Sequence, residues 1–236
     1  MKSTLAEIEA RFDNDVIRFS NLETGQQTTL DAAFNMDLMT SAIAKHYPHK
    51  TIRVLDIGCG AGNYVLKLLQ KKKELDLTLS DLSQPMLDKA LERVKEVHDG
   101  SIRLKKGDFR NLSATEGTYD VIIATAVLHH LRDDADWEGS FKNLYDLLNP
   151  GGSIWIFDLI QQQTPTLQTL VYEELYGDYL VGLKDAEYRD AVFTYIEKED
   201  SPRSLMYQLN LLTKVGFSQV DILHKNLCFA SYVGLK

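Results

Sequence analysis

Glycine occurs at three alternate positions, Gly58, Gly60 and Gly62, directly after an apolar run. The run, from Ile52 to Ile57, is rich in β-branched residues, which is typical of a buried strand in a parallel sheet. Leucine and valine then recur at helical spacing, so the pattern predicts a strand, a tight turn and a helix. Such a turn suits a nucleotide-like ligand, because glycine lets the backbone approach closely and the helix start offers unpaired N–H groups.

The acidic residue before the glycines, Asp56, narrows the class of ligand. The dinucleotide fingerprint is G-x-G-x-x-G, and here the third glycine comes one residue early. A carboxylate beside a pyrophosphate would be repelled, whereas a cationic or hydroxylated ligand would be attracted. The spacing therefore disfavours a nicotinamide-dependent oxidoreductase.

Two more aspartates follow later strands. Asp81 ends the alternating run LDLTLSD, where a carboxylate can accept both ribose hydroxyls of a nucleoside. Its alternative role is to cap the next helix, predicted over residues 84–97. Asp108 follows a short strand over 102–106, and an aspartate after a glycine is also common in plain turns.

These motifs together resemble a known family. The run D-I-G-C-G-A-G resembles the first motif of the class I S-adenosylmethionine (SAM)-dependent methyltransferases. The D-x-S-x-x-M-L run from Asp81, the acid after the third strand and the P-G-G passage before SIWIFD are similar to that family in the same order. The resemblance spans about residues 51–158. It implies methyl transfer from SAM and an α/β fold, a Rossmann-like, doubly wound, mostly parallel seven-stranded sheet of order 3-2-1-4-5-7-6 whose last strand is antiparallel.

The resemblance also implies a set of cofactor-binding residues in the glycine turn and at the strand ends. Asp81 would take the ribose, Leu82 and Met86 would flank the adenine, and Asp108 and Phe109 would bind the adenine amino group and ring. The full set is Asp56, Gly58, Cys59, Gly60, Asn63, Asp81, Leu82, Met86, Asp108, Phe109, Ala124 and Val127.

Paired histidines, His129 and His130, follow the apolar strand VIIATAV in an L-H-H-L run. Histidine titrates near neutral pH, so either ring is a candidate general base. The other role is to close the cofactor pocket and cap the strand. We expect no metal, because no third ligand is evident nearby in the sequence.

The remaining chain is predicted to add helices around one domain. Helices over residues 3–19 and 30–46, with a turn between them around Gly25, form an N-terminal cap over 1–50. The cofactor-binding core follows over 51–160. An insert over 164–201 carries many tyrosines and is predicted to form two lid helices above the pocket. A final helix and a hairpin occupy 202–236.

The amino-acid composition argues against some classes of binding partner. The 236 residues carry a net charge of -8 and a pI of about 5.3, which argues against a nucleic-acid backbone as the partner. We expect a small-molecule acceptor, while a protein or RNA acceptor and a SAM-binding regulatory module stay open. Two cysteines give no disulfide framework, and with no signal-like N-terminus or apolar run they favour a cytoplasmic protein without a membrane anchor. The oligomeric state is left open, with a homodimer as one option.

Overall fold

A single mixed sheet of seven strands organises the computed structural model, which describes residues 2–21 and 26–236. The strands are β1 Ile52–Ile57, β2 Leu75–Asp81, β3 Ile102–Lys106, β4 Tyr119–Thr125, β5 Leu148–Leu159, β6 Gln219–Asn226 and β7 Phe229–Leu235. Their spatial order is β3-β2-β1-β4-β5-β7-β6. The strands β1 to β5 pair parallel with one another. β7 pairs antiparallel with both β5 and β6. The predicted fold class and strand order are confirmed.

The parallel pairing brings the chemically important strand ends to one edge. In the register of β1, Ile57 lies opposite Ser80 of β2 and Ala124 of β4. The residues that follow these strands therefore meet at the same carboxyl edge, which is where open α/β sheets bind ligands.

Helices cover both faces of the sheet. They are α1 Leu5–Asn14, α2 Val16–Ser20, α3 Ala32–His46, α4 Asn63–Lys71, α5 Gln84–Lys95, α6 Asp134–Asp146, α7 Pro165–Gln168, α8 Gly177–Leu183, α9 Ala186–Glu199 and α10 Leu205–Val215. Side chains of α3, α4 and α5 pack on one face in one apolar cluster, and those of α6 and α10 pack on the other. Coverage on both sides explains why most residues of β1 and β4 are apolar.

The N-terminal region differs from its prediction in detail. The single helix predicted over 3–19 is wrong, because the chain turns at Asp15 and forms the separate helices α1 and α2. Thr4 caps α1 in a reciprocal bond with Glu7, which sets its start. The predicted turn around Gly25 lies partly outside the described residues.

Three further boundaries differ from the predictions. The amphipathic pattern predicts a helix from Trp137 to Leu148, but α6 begins at Asp134, because Asp133 accepts the N–H of Asp136 and caps the helix there. The P-G-G passage lies inside β5 rather than between a helix and a strand. The strand predicted to reach Val127 ends at Thr125, because the next residue, Ala126, has a φ of 51°.

The lid insert has an unusual helical segment. Between α7 and α8, residues Thr169–Tyr176 form a π-helix rather than continuing the predicted α-helix. Its aromatic side chains pack on α9, with Tyr172 stacked on Phe193 at 4.9 Å between centroids. The Tyr176 hydroxyl donates to the Thr28 carbonyl oxygen at 2.8 Å, which ties the lid to the N-terminal region. Within the described residues, no helix combines the length and the hydrophobicity that crossing a membrane requires.

Candidate functional site

A cavity of about 620 Å³ opens at the carboxyl edge of the sheet, a size typical of small-molecule sites. Its walls are the glycine turn, the ends of β2, β4 and β5, the L-H-H-L segment, α1, α2 and α9. One side thus consists of the motifs found in the sequence. The other side consists of helices that no motif identified.

The backbone of the glycine turn allows other groups to approach it closely. Gly60 has a φ of 50°, and a Cβ added there would meet no atom within 4 Å among the described residues. Gly58 has a φ of 63°, and a Cβ there would lie 2.8 Å from Val127. Gly58 therefore lets the turn pack on the L-H-H-L segment, whereas Gly60 leaves space on the side of the cavity.

Asp81 lies at the cavity wall beside this turn. Its carboxylate accepts the Gly60 N–H at 2.8 Å and the Ser83 N–H at 2.9 Å. Burial raises the pKa of Asp81, and the N–H groups of Ser83 and Gly60 oppose that rise. The helix cap is Ser83, whose hydroxyl accepts the Met86 N–H, so the alternative role of Asp81 as the cap of α5 is wrong. Each carboxylate oxygen keeps a further lone pair for a ligand.

Asp56 lies behind the cavity wall rather than on it. Its side chain is buried, and neither carboxylate oxygen has a hydrogen-bond partner among residues 2–21 and 26–236. Burial, followed by the charge of Asp81, raises the pKa of Asp56 well above its ordinary value. The nearby Tyr64 hydroxyl, on a residue that lines the cavity, also lacks a partner in the described part of the chain. Orphaned buried acceptors of this kind indicate a missing donor.

Asp108 has protein partners that the sequence did not suggest. Arg110 donates from Nε to both of its carboxylate oxygens, at 3.0 and 2.8 Å. The same guanidinium binds Asp136 of α6 through Nη1, at 2.9 and 2.8 Å. The carboxylate therefore has a structural role, and its predicted contact with adenine stays a prediction.

The other predicted cofactor residues divide by position. Ten of the predicted set line the cavity: Gly58, Cys59, Gly60, Asn63, Asp81, Leu82, Met86, Asp108, Phe109 and Val127. Asp56 and Ala124 do not, and Ala124 is fully buried within β4. The Asn63 amide joins two helices, donating to the Phe19 carbonyl and accepting from Arg93. All of these assignments remain predictions.

His129 is held from behind by Asp158 at the end of β5. Its Nδ1 contacts one carboxylate oxygen of Asp158, and the other oxygen accepts the Leu128 N–H at 2.7 Å. Burial lowers the pKa of His129, but the charges of Asp158 and Asp200 outweigh burial and raise it to about 9. The bond to Nδ1 leaves Nε2 of the ring directed at Asp200, 3.7 Å away.

His130 lies beside the same aspartate. Its Nδ1 is 3.1 Å from Oδ1 of Asp200, but the pair lacks hydrogen-bond alignment. Burial, and then the positive charge of His129, lower the pKa of His130. Asp200 ends α9, 70 residues beyond the histidines, so no local pattern could have identified it.

Residues of α1 and α9 complete the inner wall. The Arg11 guanidinium lies over the rings of Phe12 and Tyr195, at 4.6 and 4.4 Å from their centroids. It also approaches Glu199 at 3.4 Å. No motif in the sequence marks this group, because Arg11 has the pattern of an ordinary polar residue on an amphipathic helix.

Comparison with known proteins agrees with this geometry. A family model described as a methyltransferase domain matches residues 54–152. This match covers less than half of the chain, and it supports the predicted relation to the class I SAM-dependent methyltransferases. The matched residues include the glycine turn, Asp81 and both histidines.

The relatives differ in how much of their length is matched. A polyketide synthase-nonribosomal peptide synthetase of Phaeosphaeria nodorum is 32% identical over 125 residues, which are 50% of this chain and 3% of that protein. A carboxy-S-adenosyl-L-methionine synthase of Campylobacter lari is 26% identical over 212 residues, 86% of this chain and 85% of that protein. The chain therefore spans only a small part of the fungal synthase and most of the bacterial protein.

Solved structures show the same fold. The magnesium protoporphyrin IX methyltransferase of Synechocystis, solved with bound S-adenosylhomocysteine, aligns over 99% of this chain and 100% of its own. The TM-score is 0.69 at 15% identity. This likeness concerns the fold, with its sheet order and flanking helices.

Proposed function

We propose that this protein transfers the methyl group of SAM to a small-molecule acceptor. The observation that carries the proposal is the Asp81 carboxylate, fixed by the Gly60 N–H at the wall of a cavity beside an open glycine turn. A carboxylate at that strand end suits ribose hydroxyls, and it would repel a diphosphate. The same turn belongs to the family match, so geometry and sequence point to one cofactor.

The residues present fit SAM. Gly60 leaves space at the turn, and the orphaned hydroxyl of Tyr64, a residue that lines the cavity, would receive a hydrogen-bond partner or water that accompanies the cofactor. Asp81 would hold the ribose, while Leu82 and Met86 supply an apolar wall for the adenine. When bound, SAM supplies a methyl group on a positively charged sulfur. The task left to the protein is to place the acceptor atom in line with that methyl group.

The wall of the cavity formed by α1 and α9, where the methyl acceptor would bind, favours a compact, partly apolar molecule. Phe12, Tyr188 and Tyr195 line it, and Arg11 and the histidines supply polar groups. The Synechocystis enzyme is named for a small-molecule acceptor, which supports this class of substrate. Of the two histidine candidates, His130 is the one that would accept a proton where the acceptor is protonated at neutral pH, because its pKa is lowered whereas the raised pKa of His129 keeps that ring protonated.

Binding and turnover test the proposal in two steps. Calorimetry should show SAM binding and no NADH binding, and S-adenosylhomocysteine should form only when a suitable acceptor is added. NADH binding without SAM binding would revive an oxidoreductase. SAM binding without turnover, across a broad acceptor panel, would instead favour the regulatory module left open by the sequence.

A second candidate function follows from the extent of one match. The Campylobacter lari relative aligns over most of both chains, and its name describes synthesis of carboxy-SAM. On this hypothesis the protein would modify SAM itself rather than transfer its methyl group. Mass spectrometry of the adenosine compound bound after purification separates the two, since carboxy-SAM is heavier than SAM by a carboxyl group.

The wider setting is part of the same proposal. A single domain acting in the cytoplasm, on small molecules rather than nucleic acid, fits the acidic net charge and the two buried, unpaired cysteines. A homodimer remains a hypothesis that light scattering can test.

A further inference from the structure

The histidine pair and Asp200 form a compact group of ligand-type atoms. One ring nitrogen of His129, one ring nitrogen of His130 and one carboxylate oxygen of Asp200 all lie within 4.8 Å of one another. The Asp200 oxygen is 3.7 Å from His129 and 3.1 Å from His130. Nitrogen and oxygen ligands lie about 2.0–2.2 Å from zinc, which puts neighbouring ligands about 3–3.5 Å apart. The group therefore needs little movement to enclose one ion.

Two of these atoms lack hydrogen bonds. Within the described residues, His130 Nδ1 and Asp200 Oδ1 are buried and have no hydrogen-bond partner. Asp200 is only 4% exposed, so water does not readily substitute. A buried carboxylate oxygen without a donor is costly, and a bound cation would compensate it.

The contact of His129 Nδ1 with Asp158 leaves the other ring nitrogen, Nε2, available to bind a metal ion. Asp158 engages Nδ1, and Asp158 is itself fixed by the N–H groups of Leu128 and Leu159, each at 2.7 Å. A carboxylate on one ring nitrogen is the usual support for a histidine that binds metal through the other. This contact directs Nε2 toward Asp200.

The backbone holds the two segments together. The Ser201 N–H donates to the His129 carbonyl at 2.7 Å, and the Arg132 guanidinium binds the Glu199 carbonyl oxygen. Helix α9 therefore places Asp200 rigidly against the L-H-H-L segment. Preorganisation of this kind is what a metal site requires.

The neighbouring charges are also favourable. Asp158, Asp200 and Glu199 are buried carboxylates, while Arg11 binds Glu199 and the Lys2 ammonium binds the backbone oxygen of Asp200. The side chain of Asp200 has only histidine nitrogens as its near cationic partners among the ion pairs of the described residues. A divalent cation would balance Asp158 and Asp200.

We propose that His129, His130 and Asp200 bind one divalent transition-metal ion, of the zinc or ferrous type. Two imidazoles and one carboxylate suit such ions better than magnesium or calcium, which prefer oxygen ligands. All three residues line the cavity, so the remaining coordination positions face it. If the proposed methyl transfer holds, an oxygen atom of the acceptor would occupy one of them, and ligation would replace the proton-accepting role of His130.

Metal titration of the intact protein tests this inference without SAM or acceptor. Protein stripped with chelator is titrated with Zn²⁺ by calorimetry and with Co²⁺ by visible absorption, above neutral pH because the metal must displace the histidine proton. We expect one ion per chain. Asp200→Asn should weaken binding by at least about 10-fold, because a ligating carboxylate matters no less than the outer-shell groups whose loss costs that much.

A matched control is the exposed pair His224–Asp31, at 2.8 Å, where Asp31→Asn should leave metal binding unchanged. Should Asp200→Asn fail to fold by circular dichroism, His130→Asn replaces it. Binding well below one equivalent, or binding that neither variant weakens, would overturn the proposal and leave a histidine–aspartate ion pair. SAM affinity measured on the same preparations shows separately whether the proposed function stands.

Discussion

At the scale of single residues, the three aspartates near the site have different hydrogen-bond partners and therefore different roles. Asp81 is tied to the glycine turn, Asp108 is held by Arg110, and Asp56 is buried without a partner. The sequence presents all three alike, as acids near strand ends. Their hydrogen-bond partners make Asp81 the best-placed group for a ligand.

Removing the Asp81 carboxylate should weaken SAM binding. Asp81→Ala deletes the acceptor that the ribose would use, so we expect a loss of about 1–3 kcal/mol in binding free energy. Calorimetry measures the change, and Asp76→Asn, on the same strand in an exposed ion pair with Arg103, should bind SAM like the native protein. An unchanged affinity in Asp81→Ala would limit the carboxylate to holding the turn.

The space at Gly60 gives a second test at this scale. Gly60→Ala meets no protein atom in the described residues, so we expect only the strain of a φ of 50°, about 1 kcal/mol, in stability. SAM binding should fall much more, because the added methyl group points into space that the ligand uses. Thermal unfolding and calorimetry together check this, and equal losses in both would show that the turn is only structural.

At the scale of elements, the π-helix and α9 place the lid on the N-terminal region. Tyr176 and Tyr179 donate to the carbonyls of Thr28 and Gln27, each at 2.8 Å. π-Helical segments often occur at functional sites, and this one lies next to the cavity. These bonds join the insert over 164–201 to the segment before α3.

Loss of the Tyr176 bond should loosen this contact. In Tyr176→Phe the Thr28 carbonyl loses a largely buried donor, so we expect a stability loss of about 0.5–1.5 kcal/mol. Amide hydrogen exchange around residues 26–31 should also become faster. Tyr179→Phe removes the equivalent exposed bond and serves as the control, because exposed groups recover hydrogen bonds from water. Matching exchange rates in both variants would contradict a special role for Tyr176.

The sequence predicted local patterns well and long-range contacts poorly. The strand–turn–helix around Gly60 followed from hydrophobic periodicity and glycine spacing, and the order of the later strands followed from family resemblance. The junction at Asp15 and the π-helix did not, because the periodicity hardly changes across them. Asp200 was missed because only the folded chain brings α9 to the histidines.

At the scale of the molecule, Asp120 connects three parts of the fold. Its carboxylate accepts the Arg53 N–H at 2.9 Å, Lys50 at 2.7 Å and the Asn149 amide at 3.1 Å. Tyr47 at the end of α3 donates to its backbone oxygen. Burial alone would raise the pKa of Asp120, but the bonds from Arg53, Lys50 and Asn149 outweigh it and lower the pKa.

A lowered pKa in the folded state has a definite effect on stability. The contribution of Asp120 is present above the unfolded-state pKa of about 3.9, and it is lost as the pH falls through the lower folded value. Asp120→Asn should therefore cost about 1–2 kcal/mol near neutral pH, mainly through the weakened Arg53 contact, because the exposed Lys50 pair adds little.

Urea unfolding at neutral and acid pH checks this prediction. The difference between native protein and Asp120→Asn should shrink as the pH falls below about 4. Asp146→Asn, in the exposed pair with Lys142, should show almost no effect at any pH. A difference that stays constant with pH would mean that packing, rather than charge, stabilises this junction.

The two outer strands of the sheet carry charge along their length. β3 presents Arg103, Lys105 and Lys106, and β6 presents Asp221 and Lys225. An edge strand has unpaired backbone N–H and C=O groups that can pair with a strand of another molecule. Charged side chains on the edge strand make such pairing unfavourable. Preparations of this protein should consequently tolerate high concentration without forming fibrous deposits, and the sheet should end at β3 on one side and at β6 on the other.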